Sequence, residues 1–177
     1  MVVTIKKSDL KDHIRDIPDF PKEGIIFKDI TTLLKEKHAF KKSIDLLAKQ
    51  FRRDNIEYIV GVEARGFIFG SALAYKLNAG FIPVRKKGKL PHKTKRITYE
   101  LEYGTDELEI HEDAIPAGSR VLIVDDLLAT GGTIKAVCDL VKQQEAEIVG
   151  VAFLVELGLL KGKVKLKEFP VYSVIKY

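Results

Sequence analysis

The segment Val121–Thr133, VLIVDDLLATGGT, combines the residue types needed to hold a phosphorylated sugar. Its first half reads as a buried strand, Val121–Val124, ending in two acids, Asp125 and Asp126. Its second half is a short loop in which Thr130, Gly131, Gly132 and Thr133 open a helix. Two glycines let the backbone turn tightly, and successive N–H groups at the positive end of a helix dipole form a cradle for an anion. Thr130 and Thr133 add hydroxyl donors. Paired carboxylates directly upstream repel a phosphate, so their natural partners are hydroxyls, a developing cation or a metal-bound ligand. A sugar phosphate offers both kinds of group, and two adjacent acids at the end of a buried strand are costly without such a role.

Other candidates cluster on the same reasoning. Arg65, in EARG, follows the apolar run Tyr58–Val62, and in an open parallel sheet the ligand site lies at the carboxyl ends of the strands. From Arg85 to Arg96, RKKGKLPHKTKR, seven of twelve residues are Lys or Arg and none is acidic. The first part of that run, with Arg85, Lys86 and Lys89, could neutralise a departing anion, whereas Lys93, Lys95 and Arg96 read as a solvated mobile loop. Histidines 13, 38, 92 and 111 are scattered without ligand spacing. A P-loop is excluded because GGT lacks the preceding spaced glycine and the lysine of that motif, and no GxGxxG follows a strand.

Several blocks then resemble one family. VLIVDDLLATGGT is similar to the phosphoribosyl pyrophosphate signature of type I phosphoribosyltransferases, and its LLATGGT form resembles that of the adenine phosphoribosyltransferases. DFPKEGIIFKDIT (Asp19–Thr31), VGVEARGFIFG (Val60–Gly70), VRKKGKLP (Val84–Pro91), YELEYGTDELEI (Tyr99–Ile110) and LVELGLLKG (Leu154–Gly162) resemble further blocks of that family, in family order. The resemblance implies reversible transfer between adenine plus phosphoribosyl pyrophosphate and AMP plus pyrophosphate, with Mg²⁺ held through substrate oxygens. It implies a homodimer, in which Arg85, Lys86 and Lys89 reach toward the neighbouring subunit's site.

By the same resemblance Ala129, Thr130, Gly131, Gly132 and Thr133 hold the 5′-phosphate, and Asp125 and Asp126 accept hydrogen bonds from the ribose hydroxyls. Arg65 grips pyrophosphate, in a loop where the family often has a non-proline cis peptide, expected at Glu63–Ala64 or one bond later. Phe27 stacks on adenine while the backbone of Ile26 reads its edge and Leu157 forms the other wall. Lys28 stands where many members have Arg. Glu102 and Tyr103 belong to a closing lid, with Glu102 positioned to move a proton at the base. The near alternatives are another base substrate, opposed by GIIFKDIT, and a regulatory nucleic-acid binder, for which no helix-turn-helix extension precedes residue 30.

The elements that must position these residues follow from periodicity and composition. With 177 residues, 46% hydrophobic, the chain has the length and apolar content of one folded domain, 1–177, with a hood or arm over 1–36 and a flexible loop and hairpin over 86–110. Apolar runs at Tyr58–Val62, Phe81–Val84, Val121–Val124 and Ile148–Val155 suit strands covered on both faces. Helical stripes fall at about Lys37–Arg53 and Thr133–Gln144, and a further helix is read at about Phe67–Leu77 between two strands. That alternation predicts an α/β fold of the type I phosphoribosyltransferase kind, a mostly parallel sheet flanked by helices. Tyr99–Tyr103 and Glu107–Ile110 read as an inserted antiparallel hairpin, Pro170–Ile175 as a final strand, and Ser8 as the start of a short helix before a Pro-punctuated arm outside the core.

Thirty basic against 25 acidic residues leave a net charge of only +5, modest for a nucleic-acid binder. The lone Cys138 excludes an intramolecular disulfide and a cysteine zinc site, and reads as a packed core side chain. No apolar run reaches the ~18 residues that span a bilayer and no signal-like segment opens the chain, so a cytoplasmic location is expected.

Overall fold

The computed structural model describes residues 6–100 and 104–177. It divides into two compact units, residues 1–46 and 47–177. The first carries a 3-10 helix at Ser8–His13, an antiparallel pair β1 (Arg15–Ile17) and β2 (Phe27–Asp29), helix α1 (Thr31–Lys35) and most of α2 (Lys37–Phe51). The arm is not the core-free loop its prolines suggest, since Leu10, Ile14, Ile30 and Leu33 are buried. The reason is local pairing: Arg15 faces Asp29 in register and donates to its carboxylate at 2.6 Å, while Asp29 also accepts the N–H of Thr31 at 2.9 Å and so starts α1. These bonds, with Arg15 the largest contributor, hold the Asp29 carboxyl at about 2.

In the second unit β3 (Tyr58–Val62), α3 (Gly66–Leu77), β4 (Gly80–Lys86), β5 (Thr94–Glu100), β6 (Thr105–His111), β7 (Arg120–Leu128), α4 (Gly132–Lys142), β8 (Glu147–Glu156) and β9 (Val171–Lys176) follow in order. The seven strands form one sheet in the order β5-β6-β4-β3-β7-β8-β9. The β4-β3-β7-β8-β9 portion is parallel, and β6 pairs antiparallel with both β4 and β5. The apolar runs form central strands because helices cover them: α3 packs on β3, β4 and β7, and α4 on β5 to β8. Val60, Val62, Val121, Ile123, Val137, Val141, Val151 and Phe153 belong to one buried cluster that also contains Cys138.

Two strands run further than periodicity suggests. β7 continues through both acids to Leu128 because β8 keeps pairing with it, Asp125 against Phe153 and Leu128 against Glu156. β5 begins at Thr94, so Lys95 and Arg96 are strand residues rather than parts of a solvated loop. Seven consecutive pairs with β6 hold it, and Arg96 reaches the buried carboxylate of Glu109 at 2.8 Å. β6 correspondingly starts at Thr105, inside the stretch read as the hairpin turn.

Candidate functional site

Because β3, β4, β7 and β8 are parallel, the segments that leave them share one edge of the sheet. Those segments are Glu63–Arg65 after β3, Arg85–Lys89 at the end of β4, Ala129–Gly131 after β7 and Leu157 after β8. Asp125 and Asp126 lie on the last turn of strand before the β7 loop. Arg65 places its Nε 2.9 Å from Oδ2 of Asp126, an ion pair joining the segment after β3 to strand β7. Asp125 Oδ1 accepts the N–H of Asp126 at 2.8 Å. Burial, then the neighbouring Asp126 charge, pushes the Asp125 carboxyl well above the usual carboxylate range; burial also raises Asp126, against the pull of Arg65. The pair therefore resists carrying two full charges and can both accept and donate hydrogen bonds, which suits vicinal hydroxyls. Gly66 makes room here: a Cβ on it would lie 2.7 Å from Asp125 Oδ1.

The loop after β7 is shaped by backbone. Gly131 has φ +79°, and a Cβ there would stand 2.5 Å from the carbonyl oxygen of Gly162. A Cβ on Gly162 would in turn run into the carbonyl of Ala129. Two glycines thus allow the loop to lie directly against the turn at Gly162–Leu166. Helix α4 starts at Gly132 and its first internal bond is Lys135 N–H to Gly131 O, at 3.0 Å. The N–H groups of Gly132, Thr133 and Ile134 consequently have no acceptor inside the helix. They border an open concavity of about 310 Å³ lined by Asp125 and by Leu127 through Ile134. The Thr133 hydroxyl bonds that of Tyr99, whose own pKa burial raises. Tyr99 also meets Asp106, its partner across β5 and β6, and Asp106 pairs with Lys86 at 3.0 Å. This polar chain links the phosphate-type loop to the end of β4. Glu102 and Tyr103 lie outside the described residues.

At the end of β4 the basic residues converge on Glu63. Its carboxylate accepts Lys89 Nζ at 2.8 Å, the Lys86 N–H at 3.0 Å and Arg85 Nη2 at 3.2 Å. Burial alone would raise its pKa, but these three donors outweigh burial and hold it at about 2. The following bond, Glu63–Ala64, is a non-proline cis peptide, at the first of the two positions expected. Gly88 N–H donates to Glu109 at 2.9 Å, so a second buried carboxylate ties down the same turn.

In the N-terminal unit Ile26 is 56% exposed, and Phe27 packs edge-to-face on Phe20 with ring centroids 5.2 Å apart. Lys28 donates to both oxygens of Asp16 at 2.7 Å, so the residue that replaces Arg is engaged within its own strand pair. Leu157 is half-buried and its N–H donates to Leu128 O at 2.9 Å, which ties it to the strand that carries the acids. Sequence reasoning passed over Glu63, although it stands inside the EARG block, over Tyr99, whose alternation signalled only a strand, and over Asp106, which read as part of the hairpin turn and lies in β6. Their partners come from distant segments, and no spacing along the chain announces them.

Residues 31–176 match the phosphoribosyl transferase domain family. The adenine phosphoribosyltransferase of Brachyspira hyodysenteriae is 59% identical over 169 residues, covering 96% of this chain and 99% of that protein. That of Acidobacterium capsulatum is 58% identical over 168 residues, 95% and 93% of the two chains. Among solved structures, the adenine phosphoribosyltransferase of Thermoanaerobacter pseudethanolicus superposes with a TM-score of 0.94 at 53% identity, covering 97% of this chain and all of that one. The Saccharomyces cerevisiae enzyme, complexed with an imino-altritol bisphosphate and adenine, gives 0.90 at 46% identity, over 95% and 97% of the two chains.

Proposed function

We propose that this chain, which belongs to the adenine phosphoribosyltransferase family and has the type I phosphoribosyltransferase fold, transfers the 5-phosphoribosyl group of phosphoribosyl pyrophosphate to adenine. The products are AMP and pyrophosphate, as adenine salvage requires. The observation that carries this reading is the β7 edge, where two carboxylates that resist double ionisation adjoin a glycine-shaped cradle of N–H groups and hydroxyls.

In this reading Ala129 to Thr133 bind the 5′-phosphate through backbone N–H groups and the Thr130 and Thr133 hydroxyls. Asp125 and Asp126 accept the ribose hydroxyls and favour the positive charge that builds on the ring as the bond from C1′ to pyrophosphate oxygen breaks. Arg65, Arg85, Lys86 and Lys89 take up the charge of the departing pyrophosphate. The new bond forms from adenine nitrogen to C1′, and Glu102 accepts the proton the imidazole ring of adenine gives up. Tyr103 belongs to the lid that excludes water. Ile26 is assigned to the edge of the base through its backbone, and Phe27 and Leu157 to its faces.

Among the described residues no three acidic, His or Cys side chains gather around one point. Asp125 and Asp126 are two oxygen donors that would face a Mg²⁺ ion, or its water shell, carried in on substrate oxygens. When bound, it neutralises pyrophosphate charge. No helix among the described residues is long and apolar enough to cross a membrane. We also read the chain as a cytoplasmic, two-fold homodimer with Arg85–Lys89 near the partner's site; a fully active monomer by sedimentation at assay concentration would overturn the dimer, and enzyme in the secreted fraction would overturn the location.

The deciding experiment is turnover with a panel of purine bases and phosphoribosyl pyrophosphate. Adenine should exceed hypoxanthine and guanine in kcat/KM by about 10³ or more, because each oxo-purine turns a donor into an acceptor and leaves buried polar groups facing like groups. Comparable values for hypoxanthine would refute the assignment.

A further inference from the structure

The phosphate cradle is lined by Asp125 and by Leu127 through Ile134, none of them basic. A 5′-phosphate carries between one and two negative charges at neutral pH, about 1.5 to 2 for a phosphate ester with a second pKa near 6. Hydroxyl and N–H donors bond such a group without neutralising it, and the two carboxylates upstream oppose it. The chemistry of the site therefore calls for a cation from another segment.

The turn at Gly162–Leu166 brings one. It is anchored by the fully buried Leu166 and by the glycine contact that seats Gly162 against Ala129 and Gly131. From this turn the Nζ of Lys165 reaches the start of α4, where a Cβ on Gly132 would lie 3.8 Å from it. Three neighbouring lysines are committed elsewhere. Lys163 pairs with Glu156 at 3.0 Å, and Lys142 and Lys135 pair with Glu168 at 2.5 and 3.7 Å. No carboxylate pairs with Lys165 among the described residues.

We infer that Lys165 is the cationic ligand of the 5′-phosphate, closing the cradle at the start of α4. This rests on the reading of Ala129–Thr133 as the 5′-phosphate loop. An ammonium on a flexible stem suits the task, because it follows the phosphate as a point charge while the N–H groups set its orientation. The residue lies on an exposed stretch of a rigidly seated turn, so the unliganded enzyme keeps it hydrated and the bound phosphate replaces that water.

Lys165→Met keeps the stem and removes the charge. The KM for phosphoribosyl pyrophosphate and the dissociation constant of AMP should each rise about tenfold, with kcat and the adenine KM changed by less than about twofold. The defect should shrink as salt is added, since screening removes the same Coulomb attraction in the wild type. Lys165→Arg should recover most of the loss, and Lys167→Met, exposed on the neighbouring stretch, should change nothing. Unaltered phosphoribosyl pyrophosphate KM and AMP affinity in Lys165→Met would overturn the inference, as would a fall in kcat alone. Thr130→Ala combined with Thr133→Ala tests the premise separately. If that pair raises the KM and Lys165→Met does not, the loop holds the phosphate without Lys165; if neither does, the loop assignment itself fails.

Discussion

Replacing Glu63 by Gln isolates one buried charge that three donors surround. The carboxylate is held at about 2 against an ordinary 4.5, and its side chain is only 11% exposed, so solvent screens it little. At 1.36 kcal/mol per pH unit the difference corresponds to about 3 kcal/mol of folding stability at pH 7. Gln preserves shape and one acceptor oxygen, but it leaves Arg85 and Lys89, which now share one counter-charge, facing each other without it. The sign follows from the depressed value. The folded state binds its proton less readily than the unfolded chain, so the stabilisation is complete above the unfolded pKa and disappears as pH falls toward 2. Urea unfolding of wild type and Glu63→Gln should differ by about 3 kcal/mol at pH 7, with more than half of that gap lost by about pH 3. A gap that is absent at pH 7, or constant between pH 7 and 3, would show that Glu63 does not carry the electrostatic load assigned to it.

Asp125→Asn should have opposite effects on stability and rate. Burial and the Asp126 charge raise the Asp125 carboxyl, so its ionised form costs folding free energy as pH climbs above the unfolded value. The variant should therefore be more stable than wild type at neutral pH, by a margin that grows with pH, while kcat drops about tenfold or more because an acceptor for the ribose hydroxyls and part of the charge the pair shares near the developing cation are gone; lower stability at pH 7 in denaturant titrations would contradict this. Glu102→Gln should lower kcat about 10² with little change in KM, since Gln fills the same space but cannot take a proton. Near wild-type turnover across the pH range would transfer that step to water or another group.

The sequence by itself determined the parts of this protein that local physics governs. Apolar runs without alternation marked β3, β4, β7 and β8 as central strands, and three-and-four spacing marked α2 and α4, because hydrophobic periodicity reports which face is buried whatever the eventual neighbours. The acids and glycines of VLIVDDLLATGGT were legible as a sugar-phosphate motif for a related reason: strand, turn and helix start are contiguous, so the site's geometry is encoded within one short segment. What tertiary structure alone decided is every interaction whose partners lie far apart along the chain. Arg96 read as a solvated loop residue until β6 placed Glu109 beside it. The arm read as coreless until Arg15 met Asp29. Glu63 looked like a spacer before Arg65, and only the return of β4 beside β3 brings Arg85, Lys86 and Lys89 onto its carboxylate. Lys165 carried no signal, because a lysine on an exposed turn is a solvated charge until two glycines, Gly131 and Gly162, let that turn lie against the phosphate loop. Long-range electrostatics depends on distances between segments, and the sheet sets those distances; the order of residues along the chain does not.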